Sequence, residues 1–157
     1  MIMTNYQKIR AAIEGPLLTA FNSLVPPVPV YFDNVTFVPP DPPGEYIRVN
    51  MTFGMMTEES LAGALDHARG ALVVRCFAEK NKGPARAQEL VSIAVSVLKQ
   101  VGRSEKQAAG VFVKVCDING PSFPMERLEQ LEPGQASSVP HFQARVAASW
   151  KGTVLDC

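Results

Sequence analysis

Histidine is almost missing from this chain: His67 and His141 are the only two in 157 residues. Each stands at the polar start of an apolar stretch with no second histidine four residues on, which excludes the helix-borne histidine pair of a zinc hydrolase. Cysteine is as sparse. Cys76, Cys116 and Cys157 are far apart, odd in number and form no CxxC pair. That suits unpaired thiols in a reducing compartment better than a disulfide framework. Neither sign of charge is in excess, with 15 Lys and Arg against 15 Asp and Glu. Nucleic-acid-binding domains usually carry a basic surplus, so no specific nucleic-acid binding is expected. No apolar run approaches the roughly 18–20 residues of a membrane span. The opening MIMTNYQKIR holds no run of signal-peptide length. Synthesis in a cytoplasm, with no membrane partner, is the expectation.

What is present is a globular composition, 46% apolar, at a length suited to one domain with a real core. Tyr6, Ile9, Ile13, Leu17, Phe21 and Leu24 recur at steps of three and four, one face of an amphipathic helix. Gly15-Pro16 falls inside it and predicts a kink or a break into two short helices. Residues 26–43 then hold seven of the 13 prolines. This proline-rich arm, 25–44, leaves room for one short edge strand near Val30 to Asp33. In EYIRVNMTFG, Ile47, Val49, Met51 and Phe53 alternate with Arg48, Asn50 and Thr52, the pattern of a half-buried strand. DHARGALVVRCFAE predicts a second, longer strand. The 12 residues Met55 to Asp66 between them are too many for a tight hairpin and predict a helical turn or a loop.

Within FAEKNKGPARAQELVSIAVSVL, Gly83 suits a cap and Pro84 a first helical position. Ala87, Leu90, Val91, Ala94, Val97, Leu98 and Val101 then form a helical stripe that Gly102 is placed to end. GVFVKVCDI and HFQARVAASWKG predict two further strands, the latter with Phe142, Ala144, Val146, Ala148 and Trp150 on one face. These elements predict an α+β fold over residues 1–157: one mostly antiparallel sheet of about four to five strands packed against an N-terminal and a central helix. Two long loops, 54–67 and 119–140, complete it.

Motifs that carry chemistry are not found in usable form. Gly83 is followed by Pro84 and Ala85, not by the Lys and Ser or Thr of a phosphate-binding loop, and no glycine lies five residues earlier. Ser96-Val97-Leu98-Lys99 has the spacing of an acylating Ser-x-x-Lys, but it sits deep in the helix rather than at its start. Cys76 and Cys116 fall on strands that would bring them together if paired; small buried thiols are the commoner outcome of such a pattern. Glu126, Glu129 and Glu132 follow Met125, Leu128 and Leu131 at the same spacing, the solvated side of a short amphipathic turn. Arg48, Arg75 and Arg145 fall on strand faces opposite apolar rows, where they could line a shared solvent or partner surface, though most such arginines are simply exposed. No catalytic, cofactor or metal residue is assigned. The apolar residues of the two long connections, Met55, Met56, Leu61, Leu65, Pro124, Met125 and Leu128, are instead candidates for a subunit or partner interface.

The layout as a whole resembles the tail terminator, or tail-completion, proteins of long-tailed bacteriophages and prophages. Two parts carry the resemblance: Pro39 to Gly54, where a PP segment leads through YIRV into a strand, and Arg69 to Leu98, where a strand ends in F-A-x-x-x-x-G and turns into a helix. The resemblance implies a virion protein at the head-proximal end of the tail, made in the bacterial cytoplasm. It implies a hexameric ring of identical subunits that stops growth of the tail tube and meets the head–neck connector. The partners would be other copies of itself, the tail tube protein and the connector protein, with no active site and no cofactor. A related neck, head-completion or tail-tube ring protein is the nearest alternative. A small-molecule-binding α/β domain with a deep pocket between helix and sheet is a second.

Overall fold

The computed structural model describes residues 5–33, 44–58, 65–79, 84–103, 111–123 and 141–155. The N-terminal stripe forms helix α1, Asn5–Asn22. Ile9, Ile13, Leu17 and Phe21 are each fully buried. Pro16 lies within α1, yet the helix is not divided in two. Pro16 faces solvent, and the apolar stripe stays in phase on either side of it, so one packed face governs both halves. The second stripe forms helix α2, Ala85–Gln100, which buries Ala87, Leu90, Val91, Ala94 and Leu98. Pro84 already has helical torsions, φ −83° and ψ −8°, and its carbonyl accepts the Gln88 N–H at 3.0 Å. Proline is tolerated here because the first N–H groups of a helix have no partner within it. At the other end Gly102 takes φ +89°, the left-handed conformation that ends many helices.

The strands are β1 (Val30–Tyr31), β2 (Tyr46–Glu58), β3 (Leu65–Glu79), β4 (Val111–Ser122) and β5 (His141–Leu155). They form one sheet in the order β1-β2-β3-β5-β4. All neighbours are antiparallel except β1 and β2. The fold is therefore α+β, as the alternating strand patterns and two helical stripes predict. Along each long strand one parity is buried: Ile47, Val49 and Met51; Leu72, Val74, Cys76 and Ala78; Val111, Val113 and Val115; Ala144, Val146, Ala148, Trp150 and Val154. Both helices cover this face and share its core.

The 54–67 segment is not a loop throughout. β2 runs on to Glu58 and β3 begins at Leu65, so the two strands make a long hairpin. Between Phe53 and Met56 the register shifts by a bulge. An extra residue there breaks the period-two alternation, which is why the strand pattern stops at Gly54 in the sequence while the strand continues. β4 and β5 likewise extend beyond the sequence-derived limits of Ile118 and Gly152.

One glycine positions a large side chain in this core. Gly70 on β3 is paired with Trp150 on β5 and Phe53 on β2. The indole of Trp150 is fully buried and meets the Phe53 ring edge-on, with centroids 5.2 Å apart at 75°. Tyr6 of α1 continues the cluster, 5.1 Å from Phe53 at 89°.

Candidate functional site

Taken to three dimensions, the chemistry candidates disperse. Cys76 is on β3 and Cys116 on β4, and β5 lies between those strands, so the two cysteines are not brought together by strand pairing. Cys76 is on the core face between Ile47 and Ala144. Burial pushes its thiol up to about 12, far from the thiolate a nucleophile or metal ligand requires. His67 Nδ1 lies 2.9 Å from Thr153 Oγ1, and the His141 side chain is outside the described residues. Among the described residues no group of three His, Cys, Asp or Glu is placed to hold a metal ion. Ser96 and Lys99 sit on the outer side of α2. With Gln88, Ser92, Ile118 and Pro121 they line a groove of about 610 Å³ against the far end of β4. The groove is open to solvent, unlike the deep helix–sheet pocket that a small-molecule site would need; that interface is filled by Leu90, Val91, Ala94 and Leu98.

Two ion networks tie the layers together. Arg10 of α1 donates to Glu14 and to Asp33, each at 2.9 Å, and its guanidinium lies 5.7 Å from the centroid of Phe53. Asp33 also accepts from Asn50 Nδ2 at 2.6 Å and from the Met51 N–H at 2.9 Å. Burial alone would raise the Asp33 carboxyl, but the Met51, Asn50 and Arg10 donors together hold it below the usual carboxylate range. Glu14 goes the other way: burial raises it, against the pull of Arg10. On α2, Arg86 Nε reaches both oxygens of Glu45 at 2.8 and 2.9 Å, and its Nη1 reaches Glu89 at 3.0 Å. These hydrogen bonds, led by the one to Glu45, raise the Arg86 guanidinium further.

The other face of the sheet is different. Neither helix packs on it, and its side chains fall into rows that cross the strands. Arg48 is paired with Arg75, and Arg75 with Arg145, so three arginines on β2, β3 and β5 stand side by side at the ~4.8 Å strand spacing. Arg75 Nη1 donates to Asn50 Oδ1 at 2.8 Å. Partial burial and then the charges of Arg145 and Arg48 lower the Arg75 guanidinium from its ordinary value. A second row pairs Arg69 with Lys151, and Lys151 with Lys114. The rows stand six positions apart along β3, about 20 Å at the usual rise. Between them lie Thr52, Ala71, Val73, Ala147 and Ser149. The Ser149 hydroxyl is 3.4 Å from Asp117 Oδ2. Beyond the arginine row, Tyr46 and Phe77 stack on each other at 4.3 Å and 9°.

The placement of the interface candidates is mixed. Met55 and Met56 belong to β2, at and just after the bulge, and Leu65 opens β3 opposite Leu155. Leu61, Pro124, Met125 and Leu128 lie outside the described residues. The sequence singles out Arg48, Arg75 and Arg145 as a strand-face group, and the register brings these three together. Lys114, Lys151 and Arg69 are the residues it misses. Their alternation with buried neighbours marks the correct face, but only the pairing of β3, β5 and β4 aligns them.

Among the described residues, the fold is α+β with one sheet face covered by α1 and α2 and the other covered by neither. No family model matches the chain and no curated protein matches it. A solved structure of a protein whose name states no function is similar over 99% of this chain and 99% of its own, with a TM-score of 0.60 and 21% identity. At that identity the likeness is one of fold.

Proposed function

We propose that this chain is a virion assembly protein of the tail-terminator kind. It closes into a ring of identical subunits at the head-proximal end of a phage tail, stops growth of the tail tube and meets the head–neck connector. The observation that supports this most is the asymmetry of the sheet. One face is sealed by α1 and α2, while the other carries cross-strand rows of side chains that neither of these helices covers. A β2–β3 hairpin extending to Glu58 and Leu65 offers a second element for contact. A ring needs two different contact patches on each subunit, and a sheet with a hairpin extension has room for both. The layout of Pro39 to Gly54 and of Arg69 to Leu98 supports the same reading.

The test is the native mass of the purified chain over a concentration series, by light scattering after size exclusion. A discrete mass six times 17.0 kDa, or a monomer that becomes that species on concentration, is expected. A strict monomer or dimer at every concentration, together with no retention on polymerised tail tube protein, would overturn the assignment.

A further inference from the structure

We propose that copies of this chain join head to tail: the Val25-Pro26-Pro27 turn of one subunit seats in the groove between α2 and β4 of the next. This inference rests on the ring reading above and names the two patches that such a ring uses. The turn lies between the end of α1 and the start of β1. Val25 is 98% exposed, the highest value among the described large apolar residues, and Pro26 and Pro27 beside it are exposed as well. The groove has apolar Val91, Val95, Ile118 and Pro121 in its lining, with Ser92 and Ser96 along the outer side of α2.

Charge, shape and placement favour a second copy as the occupant. The cores of protein interfaces are depleted of charged residues. No charged residue occurs from Gly15 to Phe32, the stretch that holds the turn. None occurs from Leu90 to Leu98 or from Ile118 to Phe123, which supply most of the groove. Two neutral, apolar surfaces match each other, and one chain carries both. Proline fixes its own φ, so the turn is largely shaped before it binds and loses little freedom on seating. An open groove of about 610 Å³ suits a protruding turn better than an enclosed ligand. The pairing of strands sets the two patches apart. Val30 is paired with Ile47, Ile47 with Cys76 and Cys76 with Ala144, and the next residue, Arg145, is paired with Ser122 of β4. Turn and groove therefore flank opposite ends of one cross-strand row. β1 and β4 are four strand spacings apart, about 19 Å. The Ile47 N–H donates to the Pro29 carbonyl at 2.9 Å and pins the turn to its own edge, so a subunit does not fill its own groove. Unlike patches on opposite edges make the heterologous contact from which rings close.

The experiment measures native mass by light scattering over a concentration series for the parent chain, Val25→Asp, Ser92→Arg and Phe112→Asp. Val25 and Ser92 are exposed, so both substitutions spare the core, and unchanged circular dichroism melts check this. Each should raise the concentration at which the sixfold species forms by about tenfold or more, the effect of losing an interface anchor. Phe112→Asp removes an apolar side chain that is 63% exposed at the start of β4, on the other face of the sheet, and should change nothing. An equimolar mixture is the sharper test. Val25→Asp keeps a sound groove and Ser92→Arg a sound turn, so together they can make one good contact and should give a 1:1 dimer without a ring. A sixfold parent whose two variants assemble as it does, or a mixture that stays monomeric, overturns this contact and leaves the ring reading standing. A parent that is monomeric at every concentration and is not retained on polymerised tail tube protein overturns the ring reading, and this contact with it. Where the ring forms only on tail tube protein, retention is the readout: both variants should be retained less than the parent, and equal retention overturns the contact.

Discussion

At the scale of single residues, Gly70 shows how one missing side chain organises a core. A Cβ there would run into the Thr52 carbonyl oxygen and lie 2.7 Å from Trp150 Cζ2. The indole can therefore cross β3 to reach Phe53 only because position 70 has no side chain. Gly70→Ala is expected to destabilise the fold by about 1–3 kcal/mol, the usual cost of overpacking, which lowers the melting temperature by roughly 3–10 °C. An unchanged thermal melt by circular dichroism would show that the indole has room to move. Cys76 gives a second prediction. With its folded value near 12 against an ordinary 9.0, the folded protein holds a proton that the unfolded chain releases above pH 9. Stability should therefore fall as pH rises from 9 towards 12, and Cys76→Ala should show a smaller fall over that window in denaturant titrations. In native protein Cys76 should also resist iodoacetamide at pH 8, as mapped by mass spectrometry.

Asp33 works in the opposite sense. Its carboxylate is stabilised in the folded state by the Met51 N–H, Asn50 and Arg10. Its contribution is present above the ordinary value of 3.8 and is lost as pH falls through the lower folded value. Asp33→Ala should cost about 1–3 kcal/mol near neutral pH, because it leaves partly buried donors without their acceptor. The difference from the parent protein should shrink in acid, as read from urea midpoints at pH 7 and pH 3.

At the scale of elements, the helices and most strand faces were legible because their signals are local. The α2 stripe from Ala87 to Leu98 and its stop at Gly102 are properties of neighbouring residues, and packing agrees with them. The β2–β3 hairpin was misread because the bulge between Phe53 and Met56 changes the parity of the strand. The alternation before it and the residues after it then do not read as one strand. The basic face was half legible for a related reason. Parity places Arg48, Arg75 and Arg145 on one side, but register across β3 and β5 depends on chain segments separated by α2 and β4, and no local pattern encodes that alignment. In α1 the local signal of Gly15-Pro16 pointed to a kink or a break into two short helices, and the helix runs undivided through it. Gly15 has nothing within 4 Å of an added Cβ. Gly15→Ala should therefore stabilise the helix by roughly 0.5–1 kcal/mol, visible as a higher urea midpoint; a lower midpoint would show that α1 needs the bend that glycine permits.

At the scale of the whole molecule, the register of the sheet sets like charges in line across three strands, and this bears on stability. Arg75 stands between Arg48 and Arg145, and like charges directly opposite on neighbouring strands cost about 0.2–1 kcal/mol per pair. Removing one of the three should then make the protein more stable. Arg145→Gln is the cleanest case, because Arg145 is exposed and Arg75 retains its hydrogen bond to Asn50. Its melting temperature at low ionic strength should equal or exceed that of the parent. The gain should vanish near 1 M salt, where the screening length is about 3 Å and the repulsion is already suppressed. A loss of stability at low salt would mean that Arg145 is held by favourable contacts, and the row would then be a structural network.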